Sequence, residues 1–183
     1  MSLVNSIALE VGSPIPPFRL QDTAGKTFVS GDVFGKKGLL IAFTCNHCPY
    51  AVAIWPRLIQ LGKLGKEIGI NTLAINPNIH PDFPEDSPLH MEIKIREWGI
   101  PFPYLIDDTQ NVAKAFDAQC TPDLYLYDAK ANLYYHGRLD DNWKNPFKVK
   151  REDLKEAMLA LADGKPAPQT QRPSMGCSIK WKS

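Results

Sequence analysis

Two cysteines two residues apart, Cys45 and Cys48, sit in the stretch Phe43-Thr44-Cys45-Asn46-His47-Cys48-Pro49-Tyr50. This spacing lets one sulfur reach the other, so the pair can alternate between dithiol and disulfide. The thiolate, not the thiol, attacks a disulfide sulfur. An apolar run, Gly38 to Phe43, precedes the pair and reads as a buried strand, and a helical pattern, Tyr50 to about Lys66, follows it. The motif therefore falls at a strand-to-helix turn. A helix start presents unpaired N–H groups and a partial positive charge, and both favour a thiolate.

Cys45, first of the pair and taken to lie nearest the helix start, is the expected nucleophile. Cys48, placed one turn in, is the expected resolving thiol, which attacks a mixed disulfide on Cys45 and releases the reduced product. The plainer reading is two small core residues or structural thiols. His47 lies between them. As a cation it would stabilise the Cys45 thiolate and make the disulfide more oxidising, but an exposed, uncharged imidazole is an equal alternative. Two further thiols, Cys120 and Cys177, are candidate auxiliary thiols. Each also reads as a structural thiol, Cys120 as a small buried apolar residue and Cys177 on a tail among Ser174, Gly176 and Ser178.

Cys45, His47, Cys48 and Cys120, with Cys177, are a conceivable zinc or copper set, yet Cys-x-x-Cys is half a site and His47 is badly placed for chelation with both cysteines. Pro49 rather than His follows Cys48, so the c-type haem attachment motif is absent. No metal and no dissociable cofactor is expected. His80, His90 and His136 are scattered and receive no role.

The chain has 183 residues, 44% of them hydrophobic and 22% charged, with a net charge of +1. That is the length of one domain, 1–183, with an N-terminal hairpin extension (1–30) and a C-terminal tail (164–183). Near-neutral charge gives no reason to expect a nucleic-acid partner. Met1 to Ile7 lacks the basic and apolar regions of a secretory signal, and the longest apolar run is too short to span a membrane. A cytoplasmic location is the expectation. Four cysteines are too few and too spread for a disulfide scaffold, and in a reducing compartment Cys-x-x-Cys is redox-active or metal-binding. Oligomeric state stays open.

The elements that must position the dithiol follow in order. Phe18–Leu20 and Thr27–Val29 flank turn residues Asp22 to Lys26 and form a hairpin ahead of the main sheet. After the Gly38–Phe43 strand, Ala51, Ile54, Leu58, Leu61 and Leu64 give the helix one buried stripe. Pro56 should kink or break it. Gly69 ends that unit and Ile70–Ile75 is the second core strand, reached by a right-handed parallel crossover. Residues 76–88 form a long polar loop with four prolines. Leu89–Trp98 is a helix ending at Gly99, Phe102–Ile106 is extended, and Asp108-Thr109 caps a helix running to Phe116. Leu124–Tyr127 and Leu133–Leu139 make an antiparallel hairpin. Arg151–Ala162 is the last helix, and the tail is an extended arm, packed or mobile.

A parallel βαβ unit, a helix, an antiparallel hairpin and a closing helix give an α/β chain whose order resembles the thioredoxin-like redoxins. The opening Gly12…Pro17-Phe18-x-Leu20…Asp22…Gly25-Lys26 resembles the redoxin opening rather than a minimal thioredoxin. The ending Gly176-Cys177-Ser178-Ile179-Lys180-Trp181 resembles a bacterial AhpC/TSA-like subgroup of thiol-disulfide isomerases and oxidoreductases. The resemblance implies a thioredoxin-like fold, a central mixed sheet flanked by helices. It implies an exposed Cys45 and a buried Cys48. It implies a cis Thr121-Pro122 peptide facing the dithiol, with the Thr121 main chain open to a bound peptide and Cys120 close by.

The function so implied is thiol-disulfide exchange, with a protein or small-molecule disulfide as substrate and a redox partner. Two departures stand out. The acid that thioredoxins carry in the strand before the dithiol falls here on Ala42 or Leu39, and their Trp before the first cysteine is Thr44. The alternative, a peroxiredoxin-like antioxidant peroxidase using Cys45, lacks its signature: Ala42 and Gly38 stand where the hydroxyl residue and the Pro should be. Thr44 and Arg138 are the substitutes available. A peroxiredoxin-type tail would use Cys177 as a second resolving thiol. A metal-handling thiol protein is the third reading.

Overall fold

The computed structural model describes residues 3–182; Met1, Ser2 and Ser183, the outermost residues of the expected extension and tail, lie outside them. The strands are β1 (Leu3–Asn5), β2 (Arg19–Asp22), β3 (Thr27–Val29), β4 (Gly38–Phe43), β5 (Ile70–Asn76), β6 (Tyr104–Ile106), β7 (Cys120–Thr121), β8 (Asp123–Asp128), β9 (Leu133–Gly137) and β10 (Met175–Ser178). The helices are α1 (Pro49–Ile68), α2 (Pro88–Trp98), α3 (Asn111–Ala115) and α4 (Asp153–Ala162).

Every residue of β4 is buried, as a strand covered on both faces requires. Alternation divides it. Leu40 and Ala42 face a core built with Ile54, Trp55 and Leu58 of α1, Met91 of α2 and Leu154 and Met158 of α4. Leu39, Ile41 and Phe43 face a second core with Phe18, Phe116 and Tyr125. β5 runs parallel to β4 from Gly38↔Ile70 to Phe43↔Ile75, and β8 runs antiparallel on its other side from Gly38↔Asp128 to Phe43↔Asp123. The main sheet has the order β3-β2-β6-β5-β4-β8-β9. This is the expected mixed sheet with helices on both faces.

Helix α1 runs unbroken through Pro56. Proline removes one N–H bond to the carbonyl four residues back. That carbonyl belongs to Val52, which is exposed, while Trp55, Leu58 and Ile59 around the proline are buried. Of the kink or break that the local rule predicted, packing therefore removes the break. Gly69 closes it in the left-handed conformation (φ 87°), which favours glycine.

Three other expectations change. The hairpin does not stand ahead of the main sheet: β2 pairs with β6, Gln21↔Ile106, and becomes part of it. Helix α3 is capped chiefly by Asp107 and not by Asp108, while Thr109 Oγ1 accepts the Asn111 N–H at 3.4 Å. The buried Asp107 carboxylate accepts the Ala113 N–H at 2.7 Å and the Val112 N–H at 3.4 Å. The tail is the packed alternative, and part of it is a sheet strand rather than a bare arm. Its strand β10 lies between β1 and β7 in a second sheet, order β1-β10-β7.

Candidate active site

Thr44 continues the ladder by donating its N–H to Ile75 O at 2.9 Å. The chain then turns through Cys45-Asn46-His47 and enters α1 with Cys48 as N-cap and Pro49 at the first helical position, where the missing N–H costs nothing. About two turns later the Trp55 indole N–H donates to Cys45 O at 3.2 Å. Cys48, not Cys45, therefore lies at the helix start, and both residues are fully buried. This corrects the two grounds for giving Cys45 the attacking role. All four cysteines are thiols in this structure.

The Thr121-Pro122 peptide is cis, as expected, and faces the dithiol. The Cys45 sulfur lies 3.3 Å from Thr121 Oγ1, and the Cys48 thiol donates to Thr121 O at 3.1 Å. The Thr121 main chain is not open to a peptide, because β10 pairs with it: Cys177 is opposite Thr121 and Ser178 opposite Cys120. Directly opposed residues of an antiparallel pair share a face, and neighbours along a strand point to opposite faces. Cys177 therefore shares the Thr121 face and packs with Cys45, Cys48 and Ala51. Cys120 belongs to the other face and donates to Pro122 O at 3.5 Å. Of the two auxiliary candidates, the fold brings Cys177 into the sulfur cluster and leaves Cys120 beside it.

The loop residues between the cysteines are held by Asp86, which the sequence reading did not single out. The carboxylate is fully buried. One oxygen accepts the Asn46 N–H at 2.6 Å and the Asn76 side-chain amide at 3.2 Å. The other pairs with Nδ1 of His47. The His47 ring stacks on Phe83, centroids 4.5 Å apart, and Tyr104 donates its hydroxyl to Asn46 Oδ1 at 3.1 Å. His47 is thus a part-buried partner of Asp86, not the exposed ring of the alternative reading. The signal that could have found Asp86 was the loop itself, since long loops inside compact domains are usually functional.

These contacts set the protons. Burial pushes the Cys45 thiol well up, helped by its bond to Cys48 and by the negative charge of Asp86. Cys48 is lowered to about 5, chiefly by the hydrogen bond from Cys45 and also by those from Cys177 and the amides of Ala51 and Cys177, against the cost of burial. The Thr121 carbonyl can only accept, so it too works against ionisation of Cys48. Of the three clustered thiols, Cys48 is therefore the one most readily ionised.

Cys45, His47 and Asp86 bring ligand atoms within 4.8 Å of one another, a set that could hold a metal ion and differs from the one the sequence offered. Asp86 already spends both oxygens on Asn46, Asn76 and His47, so its burial needs no cation. The peroxidase substitutes are not assembled: Arg138 donates to Asp153 at 2.7 Å, and Thr44 Oγ1 has no hydrogen-bond partner among the described residues. His136, given no role, is a buried partner of Asp123 at 2.8 Å.

A dithiol at the end of a central strand and the start of the following helix, facing a cis proline, defines a thioredoxin-like redox fold. The thioredoxin domain of a thiol-disulfide oxidoreductase from Bacteroides vulgatus shares that fold, with a TM-score of 0.59 over 70% of this chain and 89% of that one at 18% identity. The AhpC/TSA family model matches residues 11–136, more than half of the chain, and the chain belongs to that family. A crystal structure of an uncharacterized conserved protein from Geobacillus kaustophilus is similar throughout, with 42% identity and a TM-score of 0.94 over 100% of this chain and 97% of that one. The thiol-disulfide oxidoreductase ResA of Bacillus subtilis is 25% identical over 126 residues, 69% of this chain and 66% of the relative. The match thus spans just under two thirds of that protein's length.

Proposed function

We propose that the protein is a thiol-disulfide oxidoreductase whose Cys45–Cys48 pair exchanges with disulfides of proteins or small molecules. The observation that carries the reading is the packing of Cys45 against Cys48 at the start of α1, with both sulfurs on Thr121 of the cis Thr121-Pro122 peptide. The thiolate is the nucleophile, so Cys48 attacks a substrate sulfur and the substrate's other sulfur leaves as a thiol. Cys45 then gives up its proton and attacks the Cys48 sulfur of the mixed disulfide. The products are the Cys45–Cys48 disulfide and the second reduced substrate sulfur. The reverse sequence oxidises a substrate dithiol, and the direction follows from the relative reduction potentials.

Thr121 and Pro122 shape the groove beside the sulfurs, and His47 acts through its pair with Asp86. Paired with Asp86 and stacked on Phe83, His47 holds the loop between the two cysteines. A cavity of about 300 Å³ beside Pro122, lined by Ile54, Leu124, Trp143 and Met175, gives a substrate chain an apolar foothold.

The test is a redox titration in glutathione buffers, quenched by alkylation and mapped by peptide mass. Cys45 and Cys48 are expected to titrate together as one two-electron couple. Thiols that resist both oxidation and alkylation until a chelator is added would overturn the reading in favour of a bound metal.

A further inference from the structure

The reduced tail does what a bound substrate would do. The family resemblance implies a substrate strand on the Thr121 main chain, with its sulfur against the dithiol. Here β10 makes that pairing, with Cys177 directly opposite Thr121, and the Cys177 side chain joins the buried cluster of Cys45, Cys48 and Ala51.

The placement is enforced from several sides. On its far edge β10 is held by β1, Leu3↔Cys177. Beyond its end, Ile179 N–H bonds Gln119 O at 3.2 Å and Lys180 N–H bonds Asn78 Oδ1 at 2.9 Å. Before it, Ser174 N–H bonds Ser6 Oγ at 2.9 Å. At Gly176 a Cβ would stand 2.1 Å from the Thr121 carbonyl oxygen, so this backbone approach requires glycine immediately before the cysteine.

We propose that Cys177 is a third redox thiol of this site, exchanging with the Cys45–Cys48 disulfide to form a Cys48–Cys177 disulfide. The inference rests on the exchange reading of the dithiol. In the step, the Cys177 thiol loses its proton and its sulfur attacks Cys48 Sγ. The Cys48–Cys177 bond forms as the bond from Cys48 to Cys45 breaks, and Cys45 leaves with the electron pair and takes up a proton. One disulfide replaces another, so no net oxidant or reductant is consumed. The same attack on a Cys48–substrate mixed disulfide releases the substrate thiol without Cys45.

The proton arrangement agrees. Burial, then its hydrogen bond to Cys48, pushes Cys177 up to about 12, so in the reduced protein it stays a thiol beside the Cys48 sulfur. Oxidation of Cys48 removes the Cys48 part of that effect and leaves burial, so the Cys177 proton is held less tightly than in the reduced protein. Cys120 has no comparable place, being two residues from the proline on the opposite face of β7.

The experiment uses an aromatic disulfide whose released thiolate is coloured, with Cys120→Ser in every protein to remove the fourth thiol. Cys45→Ser is expected to release two coloured equivalents and to yield a Cys48–Cys177 peptide. Cys45→Ser/Cys177→Ser is expected to release one and to keep the reagent on Cys48, so that the second equivalent is lost. If the Cys45→Ser protein behaves like the double variant, the inference is overturned. If instead the protein retaining Cys45 and Cys48 fails to form their disulfide, the exchange reading itself has failed.

A second measurement guards against a variant that folds poorly. Wild-type protein held near its redox midpoint and quenched in acid should contain both the Cys45–Cys48 and the Cys48–Cys177 peptides. Finding Cys45–Cys48 alone also overturns the inference.

Discussion

Gly176 stands against the Thr121 carbonyl so closely that any Cβ would lie 2.1 Å from the oxygen. The consequence is testable without touching a sulfur. Gly176→Ala must push β10 off β7 or strain both, and overpacking of this kind costs about 1–3 kcal/mol. The expected result is a lower denaturation midpoint together with faster alkylation of Cys48, because the strand covering it has moved. Unchanged alkylation in a destabilised protein would mean that β10 does not control access to the dithiol.

The protonation pattern makes a second prediction, about pH. Cys48 is lowered to about 5 while Cys45 is raised. Oxidation of the pair therefore releases two protons below about pH 5 and one proton through neutrality. For a two-electron couple the midpoint should fall by about 59 mV per pH unit in acid and about 30 mV per unit from about pH 5 to 9. A slope near 59 mV through neutrality would show that both thiols are protonated.

The same shift acts on stability, with a definite sign. Between the lowered folded value of Cys48 and the ordinary thiol value of about 8.5, the unfolded chain holds a proton that the folded chain has lost. The Cys48 contribution to the reduced protein therefore grows with pH across this window and is lost as pH falls through about 5. Cys45 has the opposite sign: its contribution is full below the ordinary thiol value and declines above it. Chemical denaturation of the reduced and oxidised proteins in parallel isolates both effects, since the disulfide removes them.

Asp86 supports the third prediction. It is fully buried and serves Asn46, Asn76 and His47 together. Asp86→Ala leaves His47 and the Asn46 amide without their acceptor, and removing one partner of a buried pair costs about 3–5 kcal/mol. Asp86→Asn keeps an acceptor for the Asn46 amide and removes the charge, so it should cost less. Because the Asp86 charge helps raise Cys45, Asp86→Asn should also lower the pH at which Cys45 is alkylated. Equal losses of stability in the two variants would argue that the charge, not the hydrogen bonding, holds the loop.

How much of this was legible in the sequence depended on the range of the interactions. Gly38–Phe43 announced β4 because six consecutive residues are buried, and Ala51, Ile54 and Leu58 announced the packed face of α1. The cis peptide at Thr121-Pro122 came from a family resemblance, since nothing local distinguishes it. Strand β10 was not legible: the alternation of Met175, Cys177 and Ile179 is too short to stand out in a Pro-rich tail, and its pairing joins residues more than 50 positions apart. Asp86 was hidden for the same reason. In a Pro-rich segment an acid reads as a solvated loop residue, and its meaning appears only when the loop closes over Asn46 and His47. Pro56 shows the converse, a strong local signal overruled by the packing of Trp55 and Leu58.

The fourth prediction separates exchange from peroxide reduction. Peroxide cleavage needs a thiolate whose neighbours polarise the O–O bond. Cys45 keeps its proton, and what faces it is the Thr121 hydroxyl, the Cys48 sulfur and the negative charge of Asp86. Arg138, the cation the sequence offered, is engaged with Asp153. Hydrogen peroxide at one equivalent should therefore oxidise the reduced protein no faster than a small thiol with the same thiolate fraction measured alongside. An aromatic disulfide should form the Cys45–Cys48 bond within the mixing time of a manual assay. Complete oxidation by peroxide within seconds, abolished by Cys45→Ser and retained in Cys48→Ser, would instead make Cys45 a peroxidatic thiol. The resting charge would then have to move from Cys48 to Cys45 when peroxide binds.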